Sequence, residues 1–585
     1  MRVNLPWVGG LEVKRLSPEK SDDLVSELNQ LVTDAEESLS SRHVDWTKYD
    51  EYYSGVQAIN KDVDTDEKDN RDRKCINFCM PTIESMVPIL NDAAPAWYAI
   101  HEGMVESAGE EGDTFRADSG QKVTGYLQGY WHYARVEHEM EKVYRDMCIY
   151  GTGVVKVYWD KLLRPVASVE DDDGELEGID IEGLEMLSID DEDEPESLGE
   201  VAVEWCDPYS VYPDPNARVF EECRYIALKV EMSKEDAQRQ FPGLQEDDMA
   251  TVSELRPKRI RPDEQNNYRD QLVEVWEVYH EFGERLTIYT GKKILFDGEN
   301  PTPNKQFPVV FYANRQRGGT FWGMSEIANL INTQDFLNLV NWRIARHQRF
   351  CGNPQKKTND ASITEVTNEP GKIFLVRARV AGETEGYLDN IDPSPLDAQV
   401  FAWLSWLEAS FDTQSGVHEV TQGVRPKGVT SGIALGILSE AAQSRLRLMI
   451  RSASLSIEDM GQLVLGYMQD NYVETRSVSF FGNDKPETAT LESDVLGGGL
   501  GRVATYRVIV QSRGDLPLNP AAQLDIGIQL AQAGFIDQIE VLKIANWPDA
   551  DAIVQRMQMA QQQQMMGQMQ AMMAQQGGGG GAVQE

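Results

Sequence analysis

The 585-residue sequence has little of what builds metal or covalent active sites. Among its six cysteines only Cys75 and Cys79 are close together, and no second pair or nearby histidine completes a set of zinc ligands. We therefore expect buried, reduced thiols in a reducing cytosol. The seven histidines are scattered, and neither an HExxH pair nor a GxSxG elbow occurs. These absences leave no candidate catalytic, cofactor-binding or metal-binding residues, and we do not expect an enzyme.

Long apolar runs and positive charge are also scarce. No uninterrupted apolar segment has membrane-spanning length and no signal peptide is evident, so we expect no membrane association. The 55 Lys and Arg residues against 96 Asp and Glu residues give a formal net charge of −41. A surface of this charge does not bind nucleic acid by counterion release, although it could surround nucleic acid without gripping it.

The most informative segment, residues 323–472, contains three long helical patterns. Apolar residues recur at three- and four-residue steps and predict helices over 323–350, 394–415 and 432–472. Ser325 is placed to cap the first of these helices. A chain dominated by such a unit is more typical of a repeated structural subunit than of a soluble enzyme.

The second of these helices has a distinct start signal and an unusually wide apolar face. Ser394 is the predicted N-cap, with Pro395 at the first helical position and Asp397 at the third. The face has more apolar surface than one exposed helix needs, which predicts packing against neighbouring helices. Its members are Leu396, Val400, Phe401, Trp403, Leu404, Leu407 and Phe411.

Two short segments separate these helices. In the insert 351–393, Lys372–Val380 is a predicted strand and Tyr387–Ile391 a candidate second strand. Because one or two strands cannot bury a core alone, we expect the insert to pair with another copy of itself.

The second segment, a Gly-rich loop over residues 417–431, carries Arg425 and Lys427 and is predicted to be mobile. The loop partly resembles a phosphate-binding loop. Val429 stands where that motif needs lysine, however, and no clear strand precedes it.

Strand patterns occur on both sides of the helical unit, which favours a discontinuous α+β domain. The predicted strands cover 154–159, 201–205, 224–232, 270–298, 307–314 and 502–511. Helices are predicted over 19–40 and 113–148, and broken helices over 520–556.

The tyrosines and Trp131 of 113–148 have the spacing to stack bases, but at helical spacing a core role is favoured. Asp214, in a proline-rich turn, is interpreted as organising that turn.

Two segments have unusual composition. Residues 170–200 are acidic, with no Lys or Arg, and are interpreted as a solvated insertion. A calcium site or a DNA mimic is the alternative, although the spacing does not fit an EF-hand loop. The tail 557–585 is rich in Met, Gln and Gly. It is either a helical extension around a symmetry axis or a disordered end.

The order of these patterns resembles that of the portal proteins of tailed double-stranded DNA bacteriophages over most of residues 40–550. The motifs that carry the resemblance are Trp46–Gly55, Ile76-Asn77 with Pro81, Pro95–Trp97, Tyr150–Trp159, Cys206–Pro215 and Gly323–Ser325. The acidic insertion and the Met/Gln tail depart from the family's pattern.

This resemblance implies an α+β portal fold with a definite division of the chain. The implied parts are a wing over 1–322 with the insertion 170–200, a stem helix over 323–350, a clip over 351–393, a second stem helix over 394–416, a tunnel loop over 417–431, a long bent helix and wing return over 432–518, a helical crown over 519–556, and the tail 557–585.

The resemblance also implies a ring, typically of twelve copies, at one capsid vertex of the virion, assembled in the host cytoplasm. Double-stranded DNA would pass through it during packaging and ejection. The implied partners are the terminase large subunit, major capsid and scaffolding proteins, and later adaptor or tail proteins.

Five basic residues are the candidate contacts. Arg425 and Lys427 would meet DNA in the channel, unless they pair with nearby carboxylates such as Glu419. Lys372, Arg377 and Arg379 would form a docking surface on the clip. The alternatives are another neck component, such as a head–tail adaptor ring, although adaptors are usually much shorter, or a metal-dependent nuclease that uses the acidic residues.

Overall fold

The computed structural model describes residues 18–59, 74–92, 97–101, 110–160, 163, 199–241, 244, 249–250, 272–291, 293–352, 356–358, 373–375, 388–390, 395–416, 444–472, 475–482, 485–496, 506–510, 524, 527–531 and 541. The helices of this part are α1 (Pro18–Ser54), α2 (Cys79–Asp92), α3 (Glu110–Tyr133), α4 (Val136–Tyr150), α5 (Lys234–Gln240), α6 (Glu326–Gly352), α7 (Ala398–Ser415), α8 (Ser444–Asn471) and α9 (Ser493–Leu496). Its strands are β1 (Trp97–His101), β2 (Thr152–Asp160), β3 (Glu200–Cys206), β4 (Val211–Pro213), β5 (Ile226–Ser233), β6 (Leu272–His280), β7 (Arg285–Thr290), β8 (Lys293–Glu299), β9 (Val309–Ala313), β10 (Lys356–Thr358), β11 (Ile373–Leu375), β12 (Leu388–Asn390), β13 (Arg476–Gly482), β14 (Lys485–Leu491) and β15 (Tyr506–Val510).

Two antiparallel sheets form much of the body. One has five strands in the order β4-β5-β6-β7-β8, and the other has the order β3-β2-β9. A further sheet pairs β1 with β15, with Trp97 opposite Val510. Strands from before and after the helical unit therefore share a sheet, which explains why strand patterns occur on both sides of it. The predicted mixture of helix and strand is confirmed.

Aromatic side chains fill the core beside α3 and α4. Tyr126, Tyr130 and Tyr144 are fully buried, which confirms their interpretation as core residues, whereas the same prediction is wrong for Tyr133, which is exposed. The prediction of one continuous helix over 113–148 is wrong, because the chain breaks between α3 and α4 and Arg135 there takes the left-handed φ of 51°. No Gly or Pro marks this break, so the apolar periodicity runs across it without a local signal.

The turn at Asp214 has the structural role expected of it. The Asp214 carboxylate accepts hydrogen bonds from the Asn216 backbone N–H at 3.0 Å and from Arg224 Nε at 2.6 Å. The side chain is buried while Arg224 remains largely exposed. Asp214 therefore holds the turn between β4 and β5, as its position between Pro213 and Pro215 indicates.

The three helices predicted within residues 323–472 are each present at least in part. The second of them starts at a different residue from the one predicted. The predicted first helix is present as α6, and the backbone N–H groups of Ile327 and Ala328 donate to Ser325 Oγ as expected of a cap. The predicted start of the second helix is wrong. Asp397, not Ser394, is the N-cap of α7, because its carboxylate accepts the Gln399 N–H at 3.1 Å. Of the third helix, residues 444–471 are described as α8.

The described residues of the insert between α6 and α7 form three short strands, where the sequence predicted one or two. Strand β10 lies in the centre, parallel to β11 and antiparallel to β12. Strands β11 and β12 lie within the predicted strands, whereas β10 was not predicted. The alternation of Val376–Val380 lies outside the described residues.

Candidate subunit-contact surface on the paired helices

Helices α6 and α7 pack along each other through one apolar seam. Leu407 and Phe411 of α7 are buried in a cluster with Leu330, Leu337 and Val340 of α6. The Thr333 hydroxyl adds a hydrogen bond of 2.9 Å to Gln414 Oε1. This seam occupies a single stripe of α7. The apolar side chains on the rest of that helix are not covered by α6, which predicts that another surface packs against them.

Outside this seam α7 exposes three aromatic side chains, which we call the aromatic face of α7. Phe401, Trp403 and Trp406 are 49%, 47% and 56% exposed, and Phe336 on α6 is 55% exposed. The two indole rings stack on each other, with centroids 4.8 Å apart and planes 24° apart. Exposed apolar surface of this kind marks interaction sites, and Trp side chains are frequent anchors of protein interfaces.

The middle of α6 is held by two buried amide side chains. Gln334 and Asn338, one helical turn apart, both bond to the extended segment at Ile76–Phe78. Asn338 Nδ2 also donates to Gln57 Oε1 at 2.5 Å. We name Gln334 and Asn338 the amide clamp. Sequence reasoning missed it, although two amides spaced by four residues on an apolar stripe are a detectable signal.

The start of α6 is anchored to the junction of α4 and β2. Ser325 Oγ donates to the Ile149 carbonyl, and the Gly323 N–H donates to Thr152 Oγ1 at 3.0 Å. A Cβ atom at Gly323 would lie 2.0 Å from the Gly151 carbonyl oxygen, so this close approach needs glycine. The helix pair is therefore fixed to the body at its root.

The far end of α6 is basic on an otherwise acidic chain. Arg343 and Arg346 are exposed there, and the Arg346 guanidinium lies 5.3 Å from the centre of the Trp342 ring. Cations are favoured at this end because the helix dipole is negative there.

None of the basic residues proposed from the sequence is among those that the structure describes. Arg425 and Lys427, and equally Lys372, Arg377 and Arg379, are outside the described residues. Most of the acidic insertion 170–200 and the whole tail 557–585 are outside them as well. What the structure does bring together is α6 and α7, the helices that precede and follow the small three-stranded sheet.

The cysteines are all free thiols. Cys79, Cys148, Cys206 and Cys223 are buried as expected, whereas Cys75 and Cys351 are half-buried. Burial raises the pKa of the Cys79 thiol to about 12 and that of Cys75 to about 11, which keeps both protonated at neutral pH.

The described residues contain neither a metal centre nor a membrane-spanning helix. Within them, no group of three or more His, Cys, Asp and Glu side chains is placed to hold a metal ion. None of the helices in that part of the chain combines the length and the apolar character needed to cross a membrane.

Comparison with known proteins relates the chain to a protein family. No curated protein matches the sequence. The family model described as the phage SU10 portal protein matches residues 135–486, which run from the start of α4 to the start of β14 and include the whole paired-helix unit. Since this is more than half of the chain, the protein belongs to the phage SU10 portal protein family, a structural family whose members form homo-oligomeric rings in the phage capsid.

Proposed function

We propose that the chain is the subunit of a ring of about twelve copies at one capsid vertex, and that double-stranded DNA passes through this ring during packaging and ejection. The observation that carries the proposal is the paired α6–α7 unit, which leaves the aromatic face of α7 exposed in a single subunit. Membership of the family supports it. The strongly negative charge supports it too, since a conduit should repel the phosphates that it passes.

In this proposal α6 and α7 are the stem and the sheet of β10–β12 is the clip. Residues 1–322 are the wing, 417–431 the tunnel loop, 432–518 the long helix with the wing return, and 519–556 the crown. The root of α6 at Gly323 supports the boundary between wing and stem, because the helix leaves the body there.

The aromatic face of α7 would contact the neighbouring subunit. Each of these side chains is about half exposed, so burying the remainder contributes roughly 1 kcal/mol per subunit. We expect the double variant Trp403→Glu/Trp406→Glu to remain folded by circular dichroism but to form no rings in electron micrographs, with scaffolding and capsid proteins co-expressed. The control Gln399→Glu/Ala409→Glu adds the same charges at exposed positions of the same helix and should form rings. Rings in the tryptophan variant would contradict the proposed contact.

Arg425 and Lys427 of the tunnel loop would make weak, sequence-independent phosphate contacts in the channel. We expect Arg425→Ala/Lys427→Ala to assemble normally and to change DNA retention or packaged length, with the difference reduced at high salt. The control Lys234→Ala/Arg239→Ala removes two cations from α5 and should package like the parent. If the loop variant also behaves like the parent at low and high salt, the two residues have a structural role only.

The clip would dock the terminase large subunit and later the adaptor or tail proteins, through Lys372, Arg377 and Arg379. Replacing all three by Ala should leave rings intact and weaken terminase capture by the purified ring. Unchanged capture over a range of salt concentrations would contradict this assignment.

A further inference from the structure

A groove lies between α8 and one end of the five-stranded sheet. Its volume is about 750 Å³, and it is lined by α8, by β9 and by the loops that connect β4 to β5, β6 to β7 and β8 to β9. Residues from each of these parts face it, among them Val219, Phe282, Asn304, Phe311, Leu455 and Asp459. All of them are separate from the aromatic face of α7.

The rim of this groove is apolar and exposed. Phe282 is 69% exposed, Leu455 is 62% exposed and Val219 is 40% exposed. These three side chains come from three different elements and line the same cavity. Their convergence indicates a binding surface, since single exposed apolar residues are common but a shared concave patch is not.

The backbone is strained on two sides of the rim. Glu281 and Phe282 have φ values of 54° and 60°, and Asn304 and Lys305 both have 53°. Such left-handed conformations are unfavourable for residues with a side chain, most of all for a bulky one such as Phe282. The Phe282 N–H donates to the Arg224 carbonyl at 2.9 Å and holds this conformation. The fold thus keeps a large apolar side chain in water at a local cost, which a partner that buries it would offset.

Carboxylates add a charge requirement to this apolar surface. Asp459 and Glu221 both line the groove. Burial raises the pKa of Asp459, and the charges of Glu221 and Glu458 raise it further. Lys305, a cation of the lining, pairs with Glu299. A fitting occupant therefore presents apolar side chains together with at least one Lys or Arg.

We propose that the groove receives the exposed side of α6 from a neighbouring copy of the chain, with Phe336 entering the apolar rim and Arg343 meeting the carboxylates of Asp459 and Glu221. The proposal rests on the ring of the proposed function. In a closed ring each subunit uses two different surfaces, one toward each neighbour. Phe336 and Arg343 are two helical turns apart on α6, are both exposed, and have the chemistry that the groove requires.

Leu455 and Leu448 provide a matched test. Both lie on α8, seven residues apart, and both are 62% exposed, but Leu455 lines the groove whereas Leu448 does not. A lysine at position 455 would repel a cationic occupant and remove apolar contact. We expect Leu455→Lys to raise the subunit concentration needed for ring assembly on the order of tenfold or more, and Leu448→Lys to leave it unchanged. Because both side chains are exposed, the Tm of the free subunit should stay near that of the parent in both variants.

A crosslink identifies the occupant directly. A benzophenone amino acid in place of Phe282 should, in assembled rings of the full chain, give a covalent dimer whose joined peptide contains Phe336 or Arg343. A crosslink confined to one copy, or to another part of the second copy, would overturn the proposal. So would normal assembly of Leu455→Lys. If both lysine variants fail to assemble, the crosslink decides. Failure of the parent itself to form rings would instead contradict the proposed function.

Discussion

Lys156 and Glu277 form an ion pair of 2.8 Å in which both side chains are completely buried. Lys156 lies on β2 and Glu277 on β6, so the pair connects the sheet of β3, β2 and β9 to the five-stranded sheet. Tyr279 Oη donates to Glu277 Oε2 at 3.2 Å and satisfies part of the carboxylate. The pair is therefore a polar contact inside an apolar core, where either charge alone would be costly.

Removing one member of this pair should destabilise the subunit strongly. We expect Glu277→Leu or Lys156→Met alone to lower the free energy of unfolding by about 3–5 kcal/mol, since each leaves an uncompensated buried charge. The double variant should recover most of this loss. Denaturant unfolding of the four proteins measures the coupling, and additive losses would show that the two charges do not depend on each other.

The amide clamp should contribute more than an ordinary surface amide. Asn338→Ala leaves the Ile76 N–H without its Asn338 acceptor and Gln57 Oε1 without its Asn338 donor, and we expect a loss of roughly 1–3 kcal/mol. The control Asn332→Ala, at an exposed position of the same helix, should be neutral or slightly stabilising because Ala favours helix. Thermal unfolding compares the two, and equal effects would argue against the clamp.

The root of α6 should not tolerate a methyl group. In Gly323→Ala the new Cβ would lie 2.0 Å from the Gly151 carbonyl oxygen and 2.5 Å from that of Asn314, both of them backbone atoms. Because backbone cannot move aside as a flexible side chain does, we expect a loss of at least about 1–3 kcal/mol. Gly318→Ala, with no atom within 4 Å of the added methyl, should stay within about 0.5 kcal/mol of the parent. A Tm of Gly323→Ala equal to that of the parent would contradict the model of the root.

His43 should make the subunit sensitive to acid. Burial, together with the positive charges of Lys229 and Arg42, lowers the pKa of His43 to about 4. Since the folded value is below the ordinary 6.5, the stabilising contribution is complete above pH 6.5 and is lost as the pH falls toward 4. At pH 5 the loss should be about 2 kcal/mol relative to pH 8.

His43→Gln removes this titration. Its free energy of unfolding should fall by about 2 kcal/mol less than that of the parent between pH 8 and pH 5. His138→Gln, at an exposed histidine, should follow the parent. Identical pH dependence of parent and His43→Gln would mean that His43 does not carry the effect.

Much of the local structure was determined by the sequence alone. The apolar stripe of α6, its Ser325 cap and the strands at 154–159 and 201–205 were all predictable, because periodicity and capping act within a few residues of the chain. The core role of Tyr126 and Tyr130 followed from the same periodicity. The order of these elements was also enough to indicate the family.

Tertiary structure alone decided the rest. The pairing of β1 with β15, the amide clamp and the Lys156–Glu277 pair depend on contacts between residues far apart in sequence. No short-range pattern encodes such a pair, because what selects it is the cost of burying a charge or an amide without its partner. The groove at Phe282 is the same kind of feature. Its apolar rim comes from three segments that only the packed sheet and α8 bring together.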